Sequence, residues 1–378
     1  MRNRSGRRFF RTCLCCNSNP VASAGIDRRT VLSGMAAVGL GAPASIIART
    51  TPALAQATPV SKPPLIDVHH HFVPPFYLAE NRERIAGSRG GQITPAWLEW
   101  EPQKALDAMD AHGVTTAVLS LSTPGVWFGD AQAARRTARL CNEYAAELAR
   151  SHPRRFGLFP VVPLPDTEGS LLEIEYALDV LKADGICLMT SYGDKWLGNL
   201  DYLPVFEELN RRKAVVFVHP TVPNCCRTLL PDVVPIIAEA PQDTARAVAN
   251  LLFTGTFARF KDIRFIFSHA GGAVPMVMGR MHDYGHYTSK SFAEKIPNGI
   301  EYELKRLYYD IAATAYRPAI AALTTMVPMT QILFGSDNPY APLAETAEGL
   351  MQLGLSAADL RAIGRDNALA LLPGLKRS

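Results

Sequence analysis

Eight short runs of apolar, β-branched or aromatic residues, each followed by a longer amphipathic stretch, constrain this chain more than any other feature of it. The runs are Leu65 to His70, Thr115 to Leu121, Phe156 to Val162, Gly185 to Met189, Val215 to Val218, Arg264 to Ser268, Tyr308 to Ile311 and Ile332 to Phe334. Strand-like runs that alternate with helix-like segments describe a parallel sheet wound with helices, because a parallel strand must be reached by a long crossover. Eight such units close a barrel, so the expected fold is α/β, a (β/α)8 TIM barrel. The intervening segments include Asp130 to Ser151, where Ala134, Leu140, Tyr144 and Leu148 recur near helical spacing. A second is Ser170 to Lys182, with Leu171, Ile174, Ala177 and Leu181 on one face. The first connection, Phe72 to Trp100, is long, aromatic and broken by proline and glycine, which suits a loop or small cap over the barrel mouth.

The residues ahead of the first run do not belong to this pattern. Arg28 and Arg29 precede a mildly apolar run from Val31 to Ile47, and Ala55-Gln56-Ala57 offers the small-x-small site of a signal peptidase. Asp27-Arg28-Arg29-Thr30-Val31-Leu32 resembles the twin-arginine export consensus. The expected organisation is a signal peptide over 1–57 cleaved after Ala57, a linker over 58–64, and one barrel domain over 65–374. Glycines and a proline interrupt the apolar run, which falls short of the roughly 20 strongly apolar residues of a membrane span, so no stable membrane anchor is expected. The destination is then periplasmic or secreted. The leading segment holds eight arginines and one aspartate, so without it the formal charge of +4 becomes −3, and no nucleic-acid-binding balance remains. Cys141, Cys187, Cys225 and Cys226 form no regular disulfide framework.

The histidines fall on this scheme in a regular way. His69 and His71 end the first run, His219 ends the fifth, His269 ends the sixth and Asp337 follows the eighth. In a barrel the C-terminal strand ends converge on one face, so residues far apart in sequence become neighbours there. Side chains alternate along a strand, so His69 and His71 point to one side and His70 to the other, where it packs or hydrogen-bonds. Four histidines and an aspartate gathered at one barrel mouth read as a metal site. Phe72, Tyr77, Trp127 and Tyr192 lie just past strand ends, where aromatic side chains serve packing as readily as a pocket wall.

These residues also carry a resemblance. Ile66-Asp67-Val68-His69-His70-His71, His219-Pro220, Ser268-His269-Ala270-Gly271-Gly272 and Gly335-Ser336-Asp337-Asn338-Pro339 resemble the amidohydrolase superfamily, in its 2-amino-3-carboxymuconate-6-semialdehyde decarboxylase-like branch. Within that branch the chain is most similar to 6-methylsalicylate decarboxylases, through His70-His71-Phe72-Val73-Pro74, Leu121-Ser122-Thr123-Pro124-Gly125, the stretch from Ala177 to Gly185, and Val216-Phe217-Val218-His219-Pro220-Thr221. The likeness runs from about Ile66 to Leu372.

The resemblance implies a barrel of the metal-dependent hydrolase type holding one divalent metal, zinc with manganese as the alternative, through His69, His71, His219 and Asp337. It assigns His269 as general base, the alternative being a fourth histidine ligand, and leaves Asp337 able to move a proton as well as bind metal. Two-metal relatives place a lysine or glutamate at the end of the fourth strand, where Gly185 to Thr190 supplies neither, so a single ion is expected. Arg280 matches an arginine that binds substrate carboxylate across a homodimer interface, and a surface or dimer salt bridge is its alternative. The implied reaction is non-oxidative decarboxylation of an aromatic or unsaturated carboxylic acid, 6-methylsalicylate-like. The alternatives are hydrolysis of a lactone, ester or amide at the same metal, or a non-catalytic binding protein on an inherited barrel.

Overall fold

The computed structural model describes residues 63–88, 95–287 and 291–376, so the expected signal peptide and nearly all of the linker lie outside the described residues. Eight strands follow one another around a barrel: β1 Leu65–His71, β2 Val114–Ser120, β3 Phe156–Phe159, β4 Ile186–Met189, β5 Val215–His219, β6 Arg264–Phe267, β7 Tyr308–Asp310 and β8 Ile332–Leu333. Every ladder between them is parallel, in the order β1-β2-β3 and β4-β5-β6-β7-β8. Two seams join these groups. Between β3 and β4, the Asp184 and Cys187 amides donate to Leu158 O at 3.0 Å and Pro160 O at 2.8 Å, and Val161 bridges to Cys187. Between β8 and β1, the Val68 amide donates to Phe334 O at 3.0 Å and the His71 amide to Asn338 O at 2.7 Å. Those bonds close the barrel.

The strands are buried along almost their whole length, which is why they read as continuous apolar runs rather than alternating ones. The helices cover them. Helix Ala131–Ser151 starts where Asp130 accepts the Ala133 amide at 3.0 Å, and its buried face is Ala134, Ala138, Cys141, Ala145 and Leu148. Leu140, expected on that face, is instead 44% exposed. Small residues at the contact let helix and sheet approach closely, and spacing from the bulky residues alone picked the wrong stripe. The second expected helix runs Thr167–Glu175 and continues as one wider turn over Tyr176–Val180, with Ile174 and Ala177 buried. The first connection carries helices Pro75–Ser88 and Pro95–Leu98, which bury Tyr77 and Trp97. A hairpin of Ser191–Tyr192 and Lys195–Trp196 follows β4.

Candidate active site

At the mouth of the barrel the backbone register sets the donor atoms. His71 on β1 stands opposite Ser120 on β2, and Met189 on β4 opposite His219 on β5, so all lie at the C-terminal strand ends. His69, His71, His219 and Asp337 are buried, and one donor atom from each lies within 4.8 Å of the others. Each imidazole is held by its Nδ1. His69 Nδ1 donates to Asp310 Oδ2 at 3.0 Å, His71 Nδ1 to Ser120 O at 3.0 Å, and His219 Nδ1 to Pro220 O at 2.9 Å.

A neutral imidazole with its proton on Nδ1 presents a lone pair on Nε2. Three such lone pairs therefore face one another, with His69 Nε2 and His71 Nε2 only 3.0 Å apart. Asp337 Oδ1 lies 3.1 Å from His71 Nε2, yet neither it nor His219 Nε2 has an aligned hydrogen-bond partner. Buried acceptors left facing each other need a cation. The acid–base balance says the same. Burial works against a charge on His69, but Asp310 and Asp337 outweigh it and push that ring up to about 10. Burial takes His71 down to about 4, and with His71 and His69 it holds His219 well below the usual histidine range. Asp337 stays well below the usual carboxylate range, because His69 and His71 outweigh its burial. With His71 and His219 neutral and Asp337 ionised, the group draws a proton onto His69, so a cation is favoured at this point and a divalent metal ion fits there. Its Nδ1 anchors are the partners that fix imidazole tautomers in metal sites.

Asp310 is the residue that reading by motif missed. Its Oδ2 orients His69, while Oδ1 accepts the amides of His269 at 3.1 Å and Ala312 at 2.9 Å. One buried carboxylate thereby sets both a donor to the metal point and the neighbouring histidine. An acid ending a buried strand was the available signal. Asp67 has a similar role across the seam: it accepts the amides of His69 and Ser336, each at 3.0 Å, and the Ser336 hydroxyl at 2.5 Å. It also holds His70 Nδ1 at 2.9 Å, so His70 is buried, hydrogen-bonded and outside the metal group. Gly335 lies where β8 passes closest to β1, and a Cβ there would sit 2.7 Å from the His69 Cβ.

His269 stands beside this group rather than within it, its ring centre 4.8 Å from that of His69. Its Nδ1 donates to Ala312 O at 2.9 Å, leaving Nε2 as the basic nitrogen. His269 and Asp337 have φ of 54° and 65°, a strained backbone region for residues with a Cβ. Both line a cavity of about 470 Å³ whose other walls include Trp97, Ile236, Pro241, Tyr316 and Tyr340. The aromatic walls are therefore not those singled out in the sequence. Phe72 and Tyr77 are core residues, and Trp127 and Tyr192 line a different hollow. Arg280 is not brought to the cavity within one chain. It is exposed on helix Val274–Tyr284, its guanidinium carbon 5.4 Å from the centre of the Tyr284 ring.

The family profile described as amidohydrolase matches residues 66–374. The decarboxylase yanB of Aspergillus niger is 35% identical over 329 residues, covering 82% of this chain and 87% of that protein. The 6-methylsalicylic acid decarboxylase of Penicillium expansum is 34% identical over 322 residues, covering 82% and 97%. Among solved structures, the manganese-bound dihydroxybenzoic acid decarboxylase of Polaromonas sp. JS666 superposes with a TM-score of 0.73 at 23% identity, over 84% of this chain and 98% of that one. The last likeness speaks to the fold.

Proposed function

The chain belongs to the amidohydrolase family, and from that premise and its metal site we propose that it is a metal-dependent, non-oxidative decarboxylase. Its substrate is an aromatic or unsaturated carboxylic acid of the 6-methylsalicylate kind. The observation that carries this reading is the buried His69, His71, His219 and Asp337 group meeting, at Asp337 and beside His269, a mostly apolar cavity with room for an aromatic acid. We take zinc as the resident ion, because three imidazoles and a carboxylate suit it, and manganese as able to replace it. The ion supplies Lewis acidity toward a substrate oxygen.

The chain's own residues do the rest. Trp97, Tyr340 and the aliphatic wall enclose the ring and exclude water. His269, fixed through Nδ1, holds or moves a proton at Nε2, and Asp337 is the second group able to do so. Protonation of the ring carbon that bears the carboxylate lets the carbon–carbon bond break and carbon dioxide leave, with no net oxidation. Incubating metal-loaded protein with phenolic acids and lactones, following carbon dioxide and ring opening separately, tests the assignment. Ring opening of lactones without carbon dioxide release from any acid would overturn it.

The exposed Met276, Tyr284 and Tyr287 around Arg280 support a homodimer contact on that face. Arg280 then reaches the carboxylate of a substrate in the other subunit. Arg280→Ala is expected to weaken carboxylate substrates about tenfold or more while sparing neutral lactones, since only carboxylates lose a charge-assisted pair. Equal effects on both, in steady-state kinetics, would remove Arg280 from the site. Residues 1–57 are proposed as a twin-arginine signal for a periplasmic or secreted protein. Mass spectrometry of the exported protein should find Thr58 as the first residue. Among the described residues no helix is long and apolar enough to cross a membrane.

A further inference from the structure

A second hollow opens among the loops that follow β2, β4 and β5. Its volume is about 640 Å³, and it shares no lining residue with the cavity beside His269. Helix Pro75–Ser88 brings Arg84 to it, and the loop after β5 brings Arg227. Arg84 donates from Nη1 to Asn81 Oδ1 at 2.7 Å and lies over the Phe128 ring, 4.4 Å from its centre. Arg227 donates from Nε to Val222 O at 3.3 Å. Among the described residues neither guanidinium has a carboxylate partner, whereas Arg135, Arg139 and Arg212 elsewhere on the barrel are all paired with acids.

The rest of the hollow is of different character. Partly exposed Trp127 gives it an aromatic surface, to which the almost fully buried Met189 and Tyr192 add only an edge. The Ser191 and Thr221 hydroxyls lie 2.9 Å from each other and 3.2 and 3.3 Å from the buried Asp243 carboxylate, so their protons are already engaged and the floor is fixed. Glu83 is the one acid on the wall. The two guanidinium groups are the cations available to an anion entering here, and a flat ring attached to it has an aromatic side chain to cover.

We propose that this hollow is a second binding site for an aromatic carboxylate, its carboxylate taken by Arg84 and Arg227 and its ring laid against Trp127. The site recognises the same chemical class as the metal cavity but stands on its own residues, so the two can succeed or fail separately. A neutral phenol, which is what decarboxylation of a phenolic acid leaves, lacks the group the arginines bind. The site therefore distinguishes acid from product.

The test is a calorimetric titration of the full-length, metal-loaded protein with salicylate, and in parallel with phenol. Two salicylates per chain are expected for the wild type, one for Arg84→Met/Arg227→Met, and two for Arg84→Lys/Arg227→Lys with the second weakened. The Lys pair guards against a Met variant that fails to fold. Phenol should leave the second site empty. A wild type that binds one salicylate, with none left in the Met variant, supports the hollow and counts against the metal cavity as an acid site. A stoichiometry that the Met variant leaves unchanged, whether one or two, overturns the proposal, as does phenol filling the second site as tightly as salicylate.

Discussion

Asp310 joins two tasks that are usually assigned to separate residues, since the same carboxylate orients His69 and receives the His269 amide. Removing it should loosen the metal and misplace the neighbouring histidine together. Asp310→Ala is expected to weaken metal affinity about 10- to 100-fold, the usual cost of losing an outer partner of a ligating histidine. Competition with a coloured chelator reads this directly, and unchanged affinity would make Asp310 a packing residue. His269→Ala should behave in the opposite way. The four metal donors stay intact, so metal content by elemental analysis is unchanged while turnover falls roughly 100-fold or more. Loss of metal from that variant would make His269 a ligand. The histidines and Asp337 were legible as a group because each sits at a strand end. Asp310 and Asp67 were not, because their worth lies in hydrogen bonds to residues 241 and 269 positions away.

At the scale of elements, the strands were readable within a few residues because burial on both faces leaves little choice of residue type. The helix faces were less so. Leu140 shows that a periodicity of large side chains misses a contact made by alanines, and the segment read as a loop or small cap carries two helices that its prolines and glycines did not delimit. The seam between β3 and β4 also holds a group tuned by its surroundings. The Leu158 amide donates to Asp184 Oδ2 at 2.9 Å, and burial raises that carboxyl from 3.8 to about 6. The folded state therefore favours the protonated acid. Its favourable contribution is complete below pH 3.8 and lost as pH rises through about 6. Above that, the shift corresponds to roughly 3 kcal/mol of destabilisation. Asp184→Asn keeps an acceptor for Leu158 and removes the charge. It should raise stability by about 1 to 3 kcal/mol at pH 8 and change little near pH 4, in denaturant melts at the two values. A gain of equal size at both would show that charge is not the cause.

For the molecule as a whole, the metal is expected to be a structural tie as well as a reagent, because it draws together β1, β5 and the segment after β8. A ligand present at a thousand times its dissociation constant stabilises the folded state by about 4 kcal/mol. Stripping the ion should then lower the melting midpoint by roughly 5 to 10 °C for a domain of this size, with recovery on adding zinc. A midpoint indifferent to verified metal removal would mean that the barrel shuts equally well without it. The placement of the donors also orders events in time. His69 and His71 belong to the first barrel strand a ribosome makes, and Asp337 lies just after the last. A nascent chain carries two of the imidazoles until β5 adds His219, and the full set exists only once the final strand has found the first. Acquisition of the ion is thus among the last steps in the making of each molecule, and a chain terminated before Ile332 lacks both that strand and the carboxylate.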